Sequence, residues 1–333
     1  MFKCAKSSKA AGLSMIPTIF VAVFAANQSG HSKAATPVAV AAPVAVTAPA
    51  TSRQVTTSPR SFSVEVIGQG RPVILIPGLM SAPSVWQSTV DALKADHQLH
   101  LIHIAGFAGK APFTSKNQQT EKGSLLQNVQ QELLAYIDAK QLQQPVVIGH
   151  SLGGFLAFAL ASKAPEKIGP IVSVDGLPYL APVFTRDPAT VPAQMQAQAT
   201  QISMQYGGMT QAQLSQAAAQ GLFIQATSPA AQQQVLAMAG QSDPASVGQV
   251  MAELMVTDLR PQLGKVKQPV LLLGASGALP PQAQAGVKAL YQQQLEKLPA
   301  AQLDINPQAR HFIMLDDPAW LNQKIRSFLQ EAK

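Results

Sequence analysis

The pattern of apolar and polar positions changes texture along the chain. Met15 to Ala26 form one short apolar run (MIPTIFVAVFAA), and from about Ala34 to Ser58 alanine, proline, valine and threonine recur with no long apolar or charged side chain before Arg53. From Phe62 onward short apolar blocks alternate with helical spacing. Phe62–Ile67 alternates like an edge strand, and after a turn at 68–70 the block PVILI (72–76) is apolar throughout, which marks a strand buried on both faces. Ser84 to Ala95 places Val85, Trp86, Val90 and Leu93 at helical spacing. The same reading predicts a strand at 97–104, a long helix at 121–141, a strand at 145–148, a helix at 152–163 and a strand at 171–174.

Strands separated by helices imply a mostly parallel, doubly wound α/β sheet with right-handed crossovers. The alternation breaks at Pro178. From there to Leu263 the chain is rich in Ala, Gln and Met and reads as several helices without a buried strand. Strand texture resumes at PVLLL (269–273), followed by a helix at 282–297, a short strand near 302–305 and a closing helix from Pro318. Residues 61–177 and 264–333 therefore form the expected sheet domain, and 178–263 is an insertion whose natural place is a helical lid over the active site.

Length allows one large α/β domain, with two unrelated domains a tight fit in 333 residues. Charge changes the picture only at the N-terminus. Of 24 Lys and Arg, Lys3, Lys6, Lys9, Lys33, Arg53 and Arg60 precede Ser61, where no Asp or Glu occurs; the remaining 18 nearly balance the 17 acidic residues. A nucleic-acid binder would carry a basic stripe on its domain, so that class is set aside. The early lysines and the short apolar run instead read as a signal peptide within 1–33, followed by an Ala/Pro-rich tether at 34–60. The expected location is exported, periplasmic or secreted, with membrane contact only if the leader stays uncleaved. Cys4, the only cysteine, would leave with it.

The chemistry concentrates where the strand PVVI runs into Gly149-His150-Ser151-Leu152-Gly153-Gly154 and a helix follows at once. In a turn this sharp, side chains at Gly149 and Gly153 would clash, and the serine is held strained with its hydroxyl exposed beside a helix N-terminus. With this G-x-S-x-G elbow the chain resembles the α/β-hydrolase superfamily from about Phe62 to its end, the insertion apart. The resemblance implies that Ser151 is the nucleophile and that the backbone N–H groups of Leu79, in Pro77-Gly78-Leu79-Met80, and of Leu152 form the oxyanion hole. A proline stands at 77 where the family carries histidine. Ala309-Arg310-His311-Phe312 looks like the family's catalytic-histidine loop and makes His311 the general base.

The acid departs from the usual pattern. After PVLLL, where most of the family carries it, the sequence is Gly274-Ala275-Ser276-Gly277-Ala278, without a carboxylate. A variant within the superfamily supplies the acid one strand earlier, which points to Asp175 at the end of IVSVDG; Asp258, in Thr257-Asp258-Leu259-Arg260, is the alternative. No cofactor is implied. His97, His100 and His103 lie on one strand without a completing ligand set and read as strand or surface histidines. His150 needs no chemical role, and Trp86 reads as a core anchor. Met195, Met204, Met209, Met238, Met251 and Met255 read singly as lid core and together as an adaptable apolar route.

The expected activity is hydrolysis of an ester-type acyl bond in a small-molecule substrate. Acyl transfer, thioester hydrolysis, carbon–carbon hydrolysis and perhydrolysis use the same constellation, and a noncatalytic binding protein on this fold is the alternative from another class.

Overall fold

The computed structural model describes residues 55–56, 61–113 and 124–332. The leader, most of the tether and the start of the helix expected from Glu121 lie outside them. The elements run β1 (Val55–Thr56), β2 (Phe62–Ile67), β3 (Arg71–Ile76), α1 (Gln87–Leu93), β4 (His97–Ile104), α2 (Leu125–Ala139), β5 (Val146–His150), α3 (Leu152–Lys163) and β6 (Ile171–Val174). Six helices follow before the next strand: α4 (Ala181–Thr185), α5 (Pro192–Gly207), α6 (Gln211–Gln220), α7 (Leu222–Gln225), α8 (Pro229–Gly240) and α9 (Pro244–Val256). The chain then returns through β7 (Val270–Ala275), α10 (Pro281–Gln294), β8 (Gln302–Asn306), α11 (Ile313–Asp316) and α12 (Pro318–Glu331).

Among the described residues one sheet holds all eight strands, in the order β1-β2-β4-β3-β5-β6-β7-β8. The two outer pairings β1–β2 and β2–β4 are antiparallel and the rest are parallel. Two details differ from the sequence reading. Val55–Thr56, inside the stretch read as tether, pairs with β2, so β2 is not the edge; its outer row of backbone donors and acceptors is partly satisfied by this short extended segment. The helix expected at 84–95 is a 3-10 turn over Pro83–Trp86 continuing into α1.

The continuous apolar runs are explained by cover on both faces. Ile74, Ile76, Val147, Ile171 and Leu272 share one core with Leu133 of α2, Phe158 of α3 and Tyr291 of α10. The alternate residues Val73, Leu75, Ile148, Val172 and Leu271 pack on the other face with Val90 and Leu93 of α1 and with Leu321 and Ile325 of α12. Helix α3 is buried from Leu152 to Ser162, as an apolar helix under the nucleophile turn must be. In the insertion the helix starts are encoded locally. Thr210, Ser228 and Asp243 each accept a hydrogen bond from the backbone N–H three residues on, and proline occupies the first turn of α5, α8 and α9.

Candidate active site

The β5–α3 turn is built on close backbone approach. A Cβ on Gly149 would stand 2.0 Å from the carbonyl carbon of Gly153, and one on Gly153 would stand 2.2 Å from the carbonyl oxygen of Ile76. Only glycine fits at either position, as the sequence required. Between them Ser151 has φ 52° and ψ −112°, a conformation that L residues rarely adopt. Its N–H donates to Val174 O at 2.9 Å, which fastens the turn to β6. Leu152 is the first residue of α3, so its N–H is one of the donors that a helix start leaves without an intrahelical partner. Leu79 lines the same cavity after the β3 turn. Gly78 lets that turn approach, since a Cβ there would stand 2.7 Å from His150 Nδ1 and 3.3 Å from Ser151 Cβ.

Asp175 directly follows β6 with φ 50°, and its carboxylate is committed on both oxygens. Oδ2 meets His311 Nδ1 at 2.6 Å. Oδ1 accepts from the backbone N–H of Ala275 at 2.9 Å and from the Tyr291 hydroxyl at 2.6 Å. The glycine-rich end of β7, empty of carboxylates, thus supplies a donor to the acid of its neighbour strand. Burial, and then the facing Asp175 charge, push the Tyr291 phenol well above its usual range, so it stays a donor. Asp258 is held elsewhere: Arg260 binds both of its oxygens, at 2.9 and 2.7 Å. The same guanidinium reaches Pro188 O and Thr190 O, tying the exit of the insertion to its entry.

The histidine loop is stitched to the inserted helices. His311 N–H donates to Ile224 O at 3.3 Å, Phe312 N–H to Gln225 O at 2.8 Å, and Arg310 Nη1 to Ala226 O at 3.0 Å. Asp316 completes the seam, with Oδ1 accepting from the N–H and hydroxyl of Thr227 and Oδ2 from the N–H of Arg310. His150 lies beneath, fully buried, its Nε2 3.0 Å from His311 O and its ring 4.6 Å from the His311 ring. Burial, and then His311, hold it well below the usual histidine range; it is neutral, with Nε2 as the donor.

Ser151, Asp175 and His311 line one cavity of about 410 Å³ with Leu79 and Leu152. The insertion supplies much of its apolar wall, including Phe184, Leu214, Val247 and Leu254. The remaining sequence candidates disperse. Trp86, Met195, Met238 and Met255 are core, Met209 packs partly buried against that core, Met251 lines the cavity, and Met204 is 67% exposed, outside any expected route. His97, His100 and His103 bond respectively to Asp96, Tyr136 and the Phe107 carbonyl. Sequence reading missed Tyr291, Ala275 and the seam at 224–227. An aromatic residue alone in the Gln-rich α10 was the one available signal.

Residues 73–324 match the model of the alpha/beta hydrolase family. The chain is 28% identical to a pimeloyl-[acyl-carrier protein] methyl ester esterase of Nitrosomonas europaea, over 78% of this chain and 95% of that protein. It is 30% identical to the protein of the same name in Vibrio atlanticus, there over 35% of this chain and only 40% of the relative. Several of the curated relatives are likewise matched over about two fifths of their length. In structure it is similar to the enol-lactonase of Burkholderia xenovorans LB400, with TM-score 0.64, 16% identity, and 81% and 96% of the two chains covered, a likeness of fold alone.

Proposed function

The chain belongs to the alpha/beta hydrolase family, and from that premise we propose that it is a serine hydrolase cleaving an ester-type acyl bond in a small or medium apolar substrate. The observation that carries the reading is the 2.6 Å contact between His311 Nδ1 and Asp175 Oδ2 in a cavity shared with the strained Ser151. The esterase named among the relatives is consistent with it.

Ser151 Oγ attacks the acyl carbonyl while His311 Nε2 takes its proton, and the backbone N–H groups of Leu79 and Leu152 receive the oxyanion. Asp175 fixes the tautomer with Nδ1 protonated and stabilises the imidazolium. His311 then protonates the leaving group, and water repeats the attack on the acyl-enzyme. The insertion serves as the lid that excludes bulk water and shapes an apolar acyl site. With residues 1–33 read as a leader and 34–60 as a tether, the enzyme acts outside the cytoplasm.

Labelling by an active-site-directed fluorophosphonate, read by mass spectrometry, tests this. Rapid modification of Ser151, abolished in Ser151→Ala, slowed by orders of magnitude in Asp175→Asn and unchanged in Asp258→Asn, is the expected result. A folded protein that stays unlabelled beside a labelled control hydrolase would overturn it and favour a noncatalytic binding protein.

A further inference from the structure

Arg310 lines the same cavity as Ser151 and His311, and the chemistry above leaves it without a task. The surrounding wall is chiefly apolar. Its guanidinium makes one hydrogen bond, to the Ala226 carbonyl, while Nε is buried without an acceptor. Among the described residues no carboxylate pairs with it. The nearby Asp316 spends its oxygens on Thr227 and on the Arg310 backbone, and Asp175 spends its own on His311, Ala275 and Tyr291. Asp175 is thus engaged by the histidine side of the cavity, and Arg310 faces the apolar side without a paired carboxylate among the described residues.

A half-buried cation without a counter-charge is costly to hold, and a guanidinium with unused N–H donors matches the two oxygens of a carboxylate. We propose that Arg310 is the specificity residue of this pocket and selects esters that carry a carboxylate on one arm, which the guanidinium receives while the ester carbonyl meets Ser151. The inference rests on the serine-hydrolase reading and adds the substrate class.

The test compares kcat/KM of the full chain on matched esters. For an anion on the acyl arm, mono-p-nitrophenyl adipate and suberate are set against p-nitrophenyl hexanoate. For an anion on the alcohol arm, the hexanoyl ester of para-hydroxybenzoate is set against that of its methyl ester. Wild type favours one anionic series by roughly tenfold or more, the scale of a charge-assisted hydrogen bond. Arg310→Gln brings the ratio close to one and Arg310→Lys keeps part of it. Because the readout is a ratio within one protein, any general loss from breaking the Ala226 contact cancels.

A wild-type ratio near one on both arms, or equal loss of neutral and anionic turnover in Arg310→Gln, overturns the proposal and leaves Arg310 an anchor for the insertion. If Arg310→Gln does not fold, product inhibition of wild type reads the same site: adipate binding roughly tenfold tighter than hexanoate, or para-hydroxybenzoate than its methyl ester, supports it, and equal inhibition within both pairs overturns it. Absence of fluorophosphonate labelling together with absence of turnover on every ester is a separate result, which overturns the hydrolase reading itself.

Discussion

Tyr291 donates a 2.6 Å hydrogen bond to Oδ1 of Asp175, the carboxylate whose other oxygen meets His311. With the Ala275 N–H it fills the half of the carboxylate that faces away from the imidazole, so Oδ2 is aimed and the carboxyl cannot rotate. A hydrogen bond to a charged group contributes about 1.5–3 kcal/mol. Tyr291→Phe keeps the ring in the core and removes only that bond. It is expected to slow acylation of Ser151 roughly tenfold and to lower stability by about 1–2 kcal/mol. Stopped-flow labelling and urea unfolding measure the two effects, and an unchanged labelling rate would reduce the bond to a structural one.

The seam between 224–227 and 310–316 makes the inserted helices part of the histidine's support. Removing the Thr227 hydroxyl takes away one of the three donors that Asp316 holds. Thr227→Val is expected to lower kcat several-fold with little change in KM, and Thr227→Ser to restore it. A rise in KM at constant kcat would show instead that the seam shapes the pocket and leaves His311 in place.

The strand and helix order was legible because each buried strand is a short apolar run flanked by a turn; β4, α3 and β6 fall on the residues their patterns marked. Ser151 was nominated by the glycines that the elbow needs at fixed spacing, and His311 by the resemblance of its loop to the family's histidine loop; the structure brings both to one cavity. The sequence favoured Asp175, at the end of the strand after the nucleophile helix, with Asp258 as the alternative. The structure adds the long-range part: Asp175 Oδ2 meets His311 Nδ1 across 136 residues of chain, while Asp258 is held by Arg260 two residues away. Tyr291 lies 116 residues from Asp175. No periodicity links them, and only the packing of α10 beside β7 brings them together.

Ser151 holds φ 52° and ψ −112°, a conformation that costs about 1–3 kcal/mol for a residue with a side chain. Glycine adopts it freely, at the expense of more unfolded-state entropy. Ser151→Gly is therefore expected to match or exceed wild-type stability by up to about 1 kcal/mol while losing all labelling. Ser151→Ala keeps the strain and gains nothing. Thermal melts of the three proteins decide it: a Gly variant clearly less stable than the Ala variant would show that the elbow is not strained.

His100 carries the clearest pH dependence of stability. Its ring is buried against the Tyr136 hydroxyl at 2.8 Å, and burial, with a smaller contribution from Lys140, lowers it from the ordinary 6.5 to about 4. Between those values the unfolded chain binds a proton that the folded chain refuses. Stability is thus complete above pH 6.5 and falls as pH drops toward 4, by up to roughly 3 kcal/mol from this group. His150 acts in the same direction. Glu253 acts oppositely, since burial raises its carboxyl and stability falls as pH rises through its raised value. Urea unfolding at pH 7, 6, 5 and 4 is expected to show His100→Gln losing less stability than wild type over the acid range, with the two slopes merging above pH 7. Parallel slopes in that range would mean that the protonated ring is accommodated in the fold, by Gln98 Oε1, which lies 3.1 Å from Nε2 and accepts its proton equally well from the charged ring.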